Sequence, residues 1–175
     1  MFLRLIPALL CALSLSAGDV ERFPAPERRD LSAMGFVDLK GKPCTVAAFR
    51  GKVVVVDFWA VWCGPCRRSL PALNTLQRQA AEKGNLVVIP CNLDDEMWPD
   101  TVLRFLRQNA KALPDFICYR AQVGKAGVAT NLGRDINAFP TTLVIDRNGR
   151  LAATWSGFNE ALLLQEINRV LAELP

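Results

Sequence analysis

The feature that most constrains this chain is an apolar run, Val53 to Ala60, that gives way at once to Trp62-Cys63-Gly64-Pro65-Cys66. Beyond the cysteines Leu70, Leu73 and Leu76 recur at helical spacing. The pattern predicts a buried strand, a tight exit, and a helix that begins at the cysteines and runs from Pro65 to about Lys83, with Gly84 as its stop. Cys63 is expected at the exposed N-terminus of that helix, where unpaired N–H groups and the helix dipole favour a thiolate. Cys66 is expected one turn inside and less exposed. This asymmetry makes Cys63 the attacking nucleophile and Cys66 the thiol that resolves the mixed disulfide. Pro65 suits the first helical turn, where its missing N–H is not needed. A purely structural bridge over so short a loop removes little unfolded-state entropy. A zinc site needs further ligands, and the chain has no histidine and no second CxxC, so no metal is expected.

The segment Asp57-Phe58-Trp59-Ala60-Val61-Trp62-Cys63-Gly64-Pro65-Cys66, followed by Pro71, resembles the thioredoxin active-site segment. Phe139-Pro140-Thr141 matches the cis-proline segment of the same superfamily. The stretches 38–42, 49–53 and 140–149 bring the chain closer to the TlpA/ResA-like branch of extracytoplasmic thiol–disulfide oxidoreductases. The resemblance runs from about Met34 to Leu174. It implies substrate contacts at Trp62, Gly64, Pro65, Phe139 and Pro140, with the backbone of Phe139 pairing with an extended substrate. On local sequence alone Phe139-Pro140 fits an ordinary trans turn equally well; the resemblance favours cis. Asp57 interrupts a run without alternation, as in a strand buried on both faces. A carboxylate there must be neutral or paired. The resemblance makes it the buried acid that relays a proton to Cys66; the plain alternative is a solvated strand-end residue. Arg67 and Arg68 read as a solvated helix face, or as added positive field near Cys63.

A length of 175 residues suits one domain. The net charge of +4 is spread rather than clustered and does not point to nucleic acid. Residues 1–17 read as a signal peptide: Arg4 precedes an apolar stretch from Leu5 to Leu15, and Ser14, Ser16, Ala17 and Gly18 offer a small-residue cleavage site. The run is too short to span a bilayer comfortably. An uncleaved membrane tether is the alternative, because the positive region is thin and Pro7 interrupts it. Residues 18–33, with Pro24, Pro26 and mixed charges, read as a linker or N-terminal arm, and 34–175 as the folded domain. Export moves the cysteines into an oxidising compartment. Cys11 goes with the signal, since Leu10 is too bulky for a lipoprotein site. Of the others, Cys91 and Cys118 either pair or stay as buried thiols, and Cys44 has no evident partner.

Met34 to Phe49 predicts a hairpin ahead of the main sheet. Leu86 to Leu93 predicts a strand parallel to the first, and Asp94, Asp95 and Glu96 an acidic turn facing solvent. A helix over 99–112 and a strand over 115–119 follow, then a poorly periodic stretch to Asn137. A second hairpin turns at Asn148-Gly149, both expected at positive φ. Asn159 caps a final amphipathic helix. The expected fold is α/β: a thioredoxin fold with an N-terminal hairpin and a central helix–strand insertion. The expected function is an exported thiol–disulfide oxidoreductase that needs no cofactor. The Gly-Pro insert resembles the reducing thioredoxin type, near about −270 mV, rather than the oxidising type near about −120 mV. The resemblance implies a membrane electron donor and an exported client such as apocytochrome c. Alternatives are a disulfide-forming oxidase, a thioredoxin-fold peroxidase (whose Thr-rich, Arg-assisted cysteine pocket is not found), and a non-catalytic binding module. Copper delivery is disfavoured because histidine is absent.

Overall fold

Val53–Trp59 forms a strand in which every residue is buried, as its unbroken apolar character requires. In the computed structural model, which describes residues 19–94, 99–122 and 124–173, this strand lies inside one eight-stranded sheet. In chain order the strands are β1 (Glu21–Arg22), β2 (Gly35–Asp38), β3 (Pro43–Thr45), β4 (Val53–Trp59), β5 (Leu86–Asn92), β6 (Tyr119–Ala121), β7 (Thr141–Ile145) and β8 (Leu151–Ser156). The helices are α1 (Gly64–Lys83), α2 (Asp100–Gln108), α3 (Gly124–Leu132) and α4 (Glu160–Leu171). The sheet order is β1-β8-β7-β4-β5-β6-β2-β3. β4 is parallel to β5 and antiparallel to β7. This is the expected α/β thioredoxin fold, with α2 and β6 as the insertion. The signal-peptide reading of 1–17, including Cys11, and the reading of Asp95 and Glu96 fall outside the described residues.

Alternate residues of β4 point to opposite faces. Val53, Val55 and Trp59 pack in one cluster with Cys66, Leu70 and Leu73 of α1 and with Leu163, Ile167 and Val170 of α4. Val54, Val56 and Phe58 pack in the other, with Leu31, Met34 and Phe36 and with Val128 and Leu132 of α3. Asp57 therefore belongs to the face that α1 covers. Among the described residues no helix is long and apolar enough to cross a membrane.

Several expectations need correction. The N-terminal hairpin forms as expected, β2 pairing antiparallel with β3, and β2 also pairs with β6, so the hairpin extends the main sheet. The strand expected over 115–119 begins only at Tyr119: Asp115 has φ 60, Phe116 N–H donates to the Leu113 carbonyl, and the backbone of Ile117 bonds the Gln77 side chain instead of a neighbouring strand. The poorly periodic stretch contains α3. Residues 19–33 do not hang free as a linker. β1 pairs with β8, Leu31 is buried, and Arg28 is buried between Asp146 and Glu173. At the second hairpin only Gly149 takes positive φ. Asn148 needs none, because the Asp146 carboxylate accepts from the backbone N–H groups of Asn148 and Arg150 and shapes the turn. Of the two readings open for Cys91 and Cys118, the structure has that of buried thiols not bridged to each other. Gly84 at φ 72 and Asn159, whose Oδ1 accepts from the Leu162 N–H at 3.0 Å, end α1 and begin α4 as expected.

Candidate active site

The site forms where β4 leaves the sheet. Leu93 N–H donates to the Trp59 carbonyl, and Cys63 N–H to the Ala60 carbonyl. The chain thus turns tightly between Trp59 and Cys63 before entering α1. Cys63 is the N-cap of α1, and its Sγ accepts from the Cys66 N–H at 3.2 Å. Cys63 and Cys66 are joined in a disulfide, with Cα atoms 5.3 Å apart. A sulfur that already receives a helix N–H is stabilised as a thiolate once the bond is reduced.

Cys63 is not exposed as expected. It is 4% accessible, against full burial for Cys66. Its position at the helix start is right, but it packs into the core cluster that also holds Trp59, Cys66 and Leu70. Trp62 itself is 67% exposed and meets Phe139 edge-on, with ring centroids 5.6 Å apart. Trp62, Cys63, Gly64 and Pro65 face residues 136–139 across an open groove of about 400 Å³. Access to Cys63 is therefore through this groove. Trp62, Gly64, Pro65 and Phe139 all line it. Pro140 does not: the Phe139–Pro140 bond is cis, Pro140 is buried, and its carbonyl accepts from Gly157 N–H.

Asp57, in β4, is fully buried on the face that α1 covers. Its Oδ2 accepts from the Thr142 hydroxyl at 2.8 Å, and no hydrogen bond reaches Oδ1. Burial pushes its carboxyl up to about 7, with the Thr142 hydroxyl opposing in part.

Sequence reasoning missed Asp94. It was expected in a solvent-facing acidic turn, yet it is only 7% exposed. Its Oδ2 accepts from the Val61 N–H at 2.6 Å and from Asn92 Nδ2 at 2.9 Å. The carboxylate therefore holds the turn that delivers Cys63. No local signal announced this, because the contact depends on β5 lying beside β4. Among the described residues there is no cluster of His, Cys, Asp and Glu suited to a metal ion.

Comparison with known proteins places this geometry in context. The profile of the family described as Redoxin matches residues 21–170. The chain is 28% identical over 129 residues to the thiol-disulfide oxidoreductase ResA of Bacillus thuringiensis, a match covering 74% of this chain and 69% of that protein. With the thioredoxin-like protein YneN of Bacillus subtilis it shares 29% identity over 113 residues, covering 63% of this chain and 60% of YneN. A solved structure assigned as a thiol:disulfide interchange protein DsbE from Chlorobium tepidum superposes with a TM-score of 0.67 at 29% identity, covering 83% of this chain and 98% of that one. A secreted thiol-disulfide isomerase from Corynebacterium glutamicum has a TM-score of 0.75 at 22% identity, covering 91% and 96%, and shares the fold.

Proposed function

This chain belongs to the Redoxin family, and from that membership we propose that it is an exported thiol–disulfide oxidoreductase that reduces disulfides in exported proteins. The observation that carries the reading is the Cys63–Cys66 pair at the start of α1, reached through the Trp62–Phe139 groove and backed by a buried acid. The Cys63 thiolate attacks one sulfur of a client disulfide. A Cys63–client bond forms, and the client's other sulfur leaves as a thiolate. Cys66 gives its proton to Asp57 and attacks Cys63 Sγ. The Cys63–Cys66 bond closes and the second client sulfur is released. Two electrons pass to the client, which takes up one proton by way of Asp57 and one from solvent. A membrane-bound dithiol donor then restores the reduced pair. The N-terminal apolar segment supports export, with a membrane tether if that segment is retained. The family resemblance supports a c-type apocytochrome as client.

The test is a trap. Cys66→Ser, incubated with an extract of exported proteins, is expected to accumulate covalent complexes that dithiothreitol releases. If Cys63→Ser forms the same complexes, the nucleophile is misassigned. If glutathione or dithiothreitol buffers cannot reduce the pair in the native protein, the reading fails. A midpoint near about −120 mV instead of near about −270 mV makes the protein an oxidase.

A further inference from the structure

A second groove, of about 420 Å³, opens beside Gly64 at the start of α1. Gly64 lines both grooves, so the two meet beside Cys63. On one wall α1 supplies Arg67, Arg68 and Pro71; Phe105 of α2 and Leu113 form the other. This groove exists because of the helix–strand insertion: Phe105 stacks against Trp59, with centroids 5.7 Å apart, and so holds α2 beside the active-site turn.

The groove has a definite chemistry. The Arg67 guanidinium carbon lies over the Phe105 ring, 5.9 Å from its centre, within cation–π range. Arg68 folds back toward the helix start, with Nη1 3.8 Å from where a Cβ on Gly64 would sit. Both residues are exposed. Among the described residues neither forms an ion pair. Two unpaired guanidinium groups over an apolar wall, in the field of a helix N-terminus, are complementary to carboxylates carried on a polypeptide.

We propose that Arg67 and Arg68 make the second groove a docking site for an acidic client segment, so that the preferred substrate disulfide is flanked by aspartate or glutamate. This rests on the disulfide-exchange reading of the same site. A client whose sulfur sits at Cys63 occupies the Trp62–Phe139 groove on one side, and its neighbouring acidic residues reach the arginines on the other. The arginines bind the flank of the substrate and take no part in bond exchange. Their charge acts mainly on encounter and orientation.

The test uses the full chain, reduced, with one peptide disulfide made in three forms carrying Glu, Gln or Lys beside the cysteine. The expected kcat/KM order is Glu over Gln over Lys, spanning about ten-fold at low salt, and the spread narrows as salt screens the charges. The double variant Arg67→Gln, Arg68→Gln is expected to erase the order while keeping the Gln peptide within about two-fold of wild type, as befits the loss of rim charges alone. A wild type indifferent to the three peptides overturns the proposal. So does a double variant that keeps the order, or one that slows all three peptides alike, which would mean that the arginines act on Cys63. Absence of exchange with every peptide in wild type instead overturns the oxidoreductase reading itself.

Discussion

Asp57 sits where a charged residue is least welcome, and its consequence is a pH dependence of stability. Its folded value is raised from 3.8 to about 7 by burial. The native state therefore holds a proton that the unfolded chain has already lost, and stability falls as pH rises through that window. In the oxidised protein, where Cys63 and Cys66 do not titrate, Asp57→Asn removes this slope. Urea unfolding at about pH 5 and about pH 7 is expected to show the variant gaining about 2 kcal/mol on wild type between the two. Equal changes in both proteins would mean that Asp57 titrates normally. The burial of Asp57 was legible in the sequence because β4 lacks alternation. The enclosure of Cys63 was not: the buried cluster it belongs to draws residues from far along the chain, such as Phe105 and Leu113.

At the scale of elements, the connection between β5 and the turn before α1 depends on one carboxylate. Asp94 accepts from Val61 N–H and Asn92 Nδ2, and Asn92 Oδ1 accepts from the Asp94 N–H in return. Asp94→Ala leaves these donors without a protein partner in a partly buried place. It is expected to cost about 2 kcal/mol in urea unfolding and to shift the equilibrium of the Cys63–Cys66 pair with glutathione. A variant as stable as wild type, with an unchanged equilibrium, would show that the turn holds itself. The elements were legible where periodicity and punctuation agreed: α1 from its leucines and Gly84, and α4 from Asn159 and its apolar stripe. α3 was missed because its sequence carries little amphipathic pattern. Glu166 was missed although a signal existed. It lies at i+3 from Leu163 and beside Ile167, within the buried face of α4, where Arg22 and Arg169 pair with it. Burial tends to raise its carboxyl, but the hydrogen bonds from those two arginines outweigh that and hold it below the usual range.

Across the whole molecule, a chain of ion pairs ties the N-terminal arm to the C-terminal helix and the β7–β8 turn. Arg28 is the central link. Its side chain is 4% exposed, and it donates to Asp146 at 3.0 Å and to both carboxylate oxygens of Glu173 at 2.6 and 2.7 Å. Arg28→Ala leaves the buried Asp146 carboxylate with Arg150, at 3.3 Å, as its remaining cation partner, so a loss of about 2 kcal/mol is expected in urea unfolding, together with faster proteolysis within residues 19–33. A loss below about 1 kcal/mol would mean that the network is only a surface pairing. The arm reads as a linker in sequence because its prolines and charges lack periodicity, and periodicity reports a segment's own geometry rather than what it lies against. By itself the sequence determined the closely spaced cysteine pair, the helix that it begins, the strand behind it and the buried acid, because each follows from spacing and polarity within a few residues. Only the tertiary structure decided that Cys63 is enclosed, that Asp94 holds its turn, that Arg67 and Arg68 face a groove, and that the arm is part of the fold. Those contacts join residues far apart in the chain, and pairing across such distances is set by sheet register and packing, which local sequence does not encode.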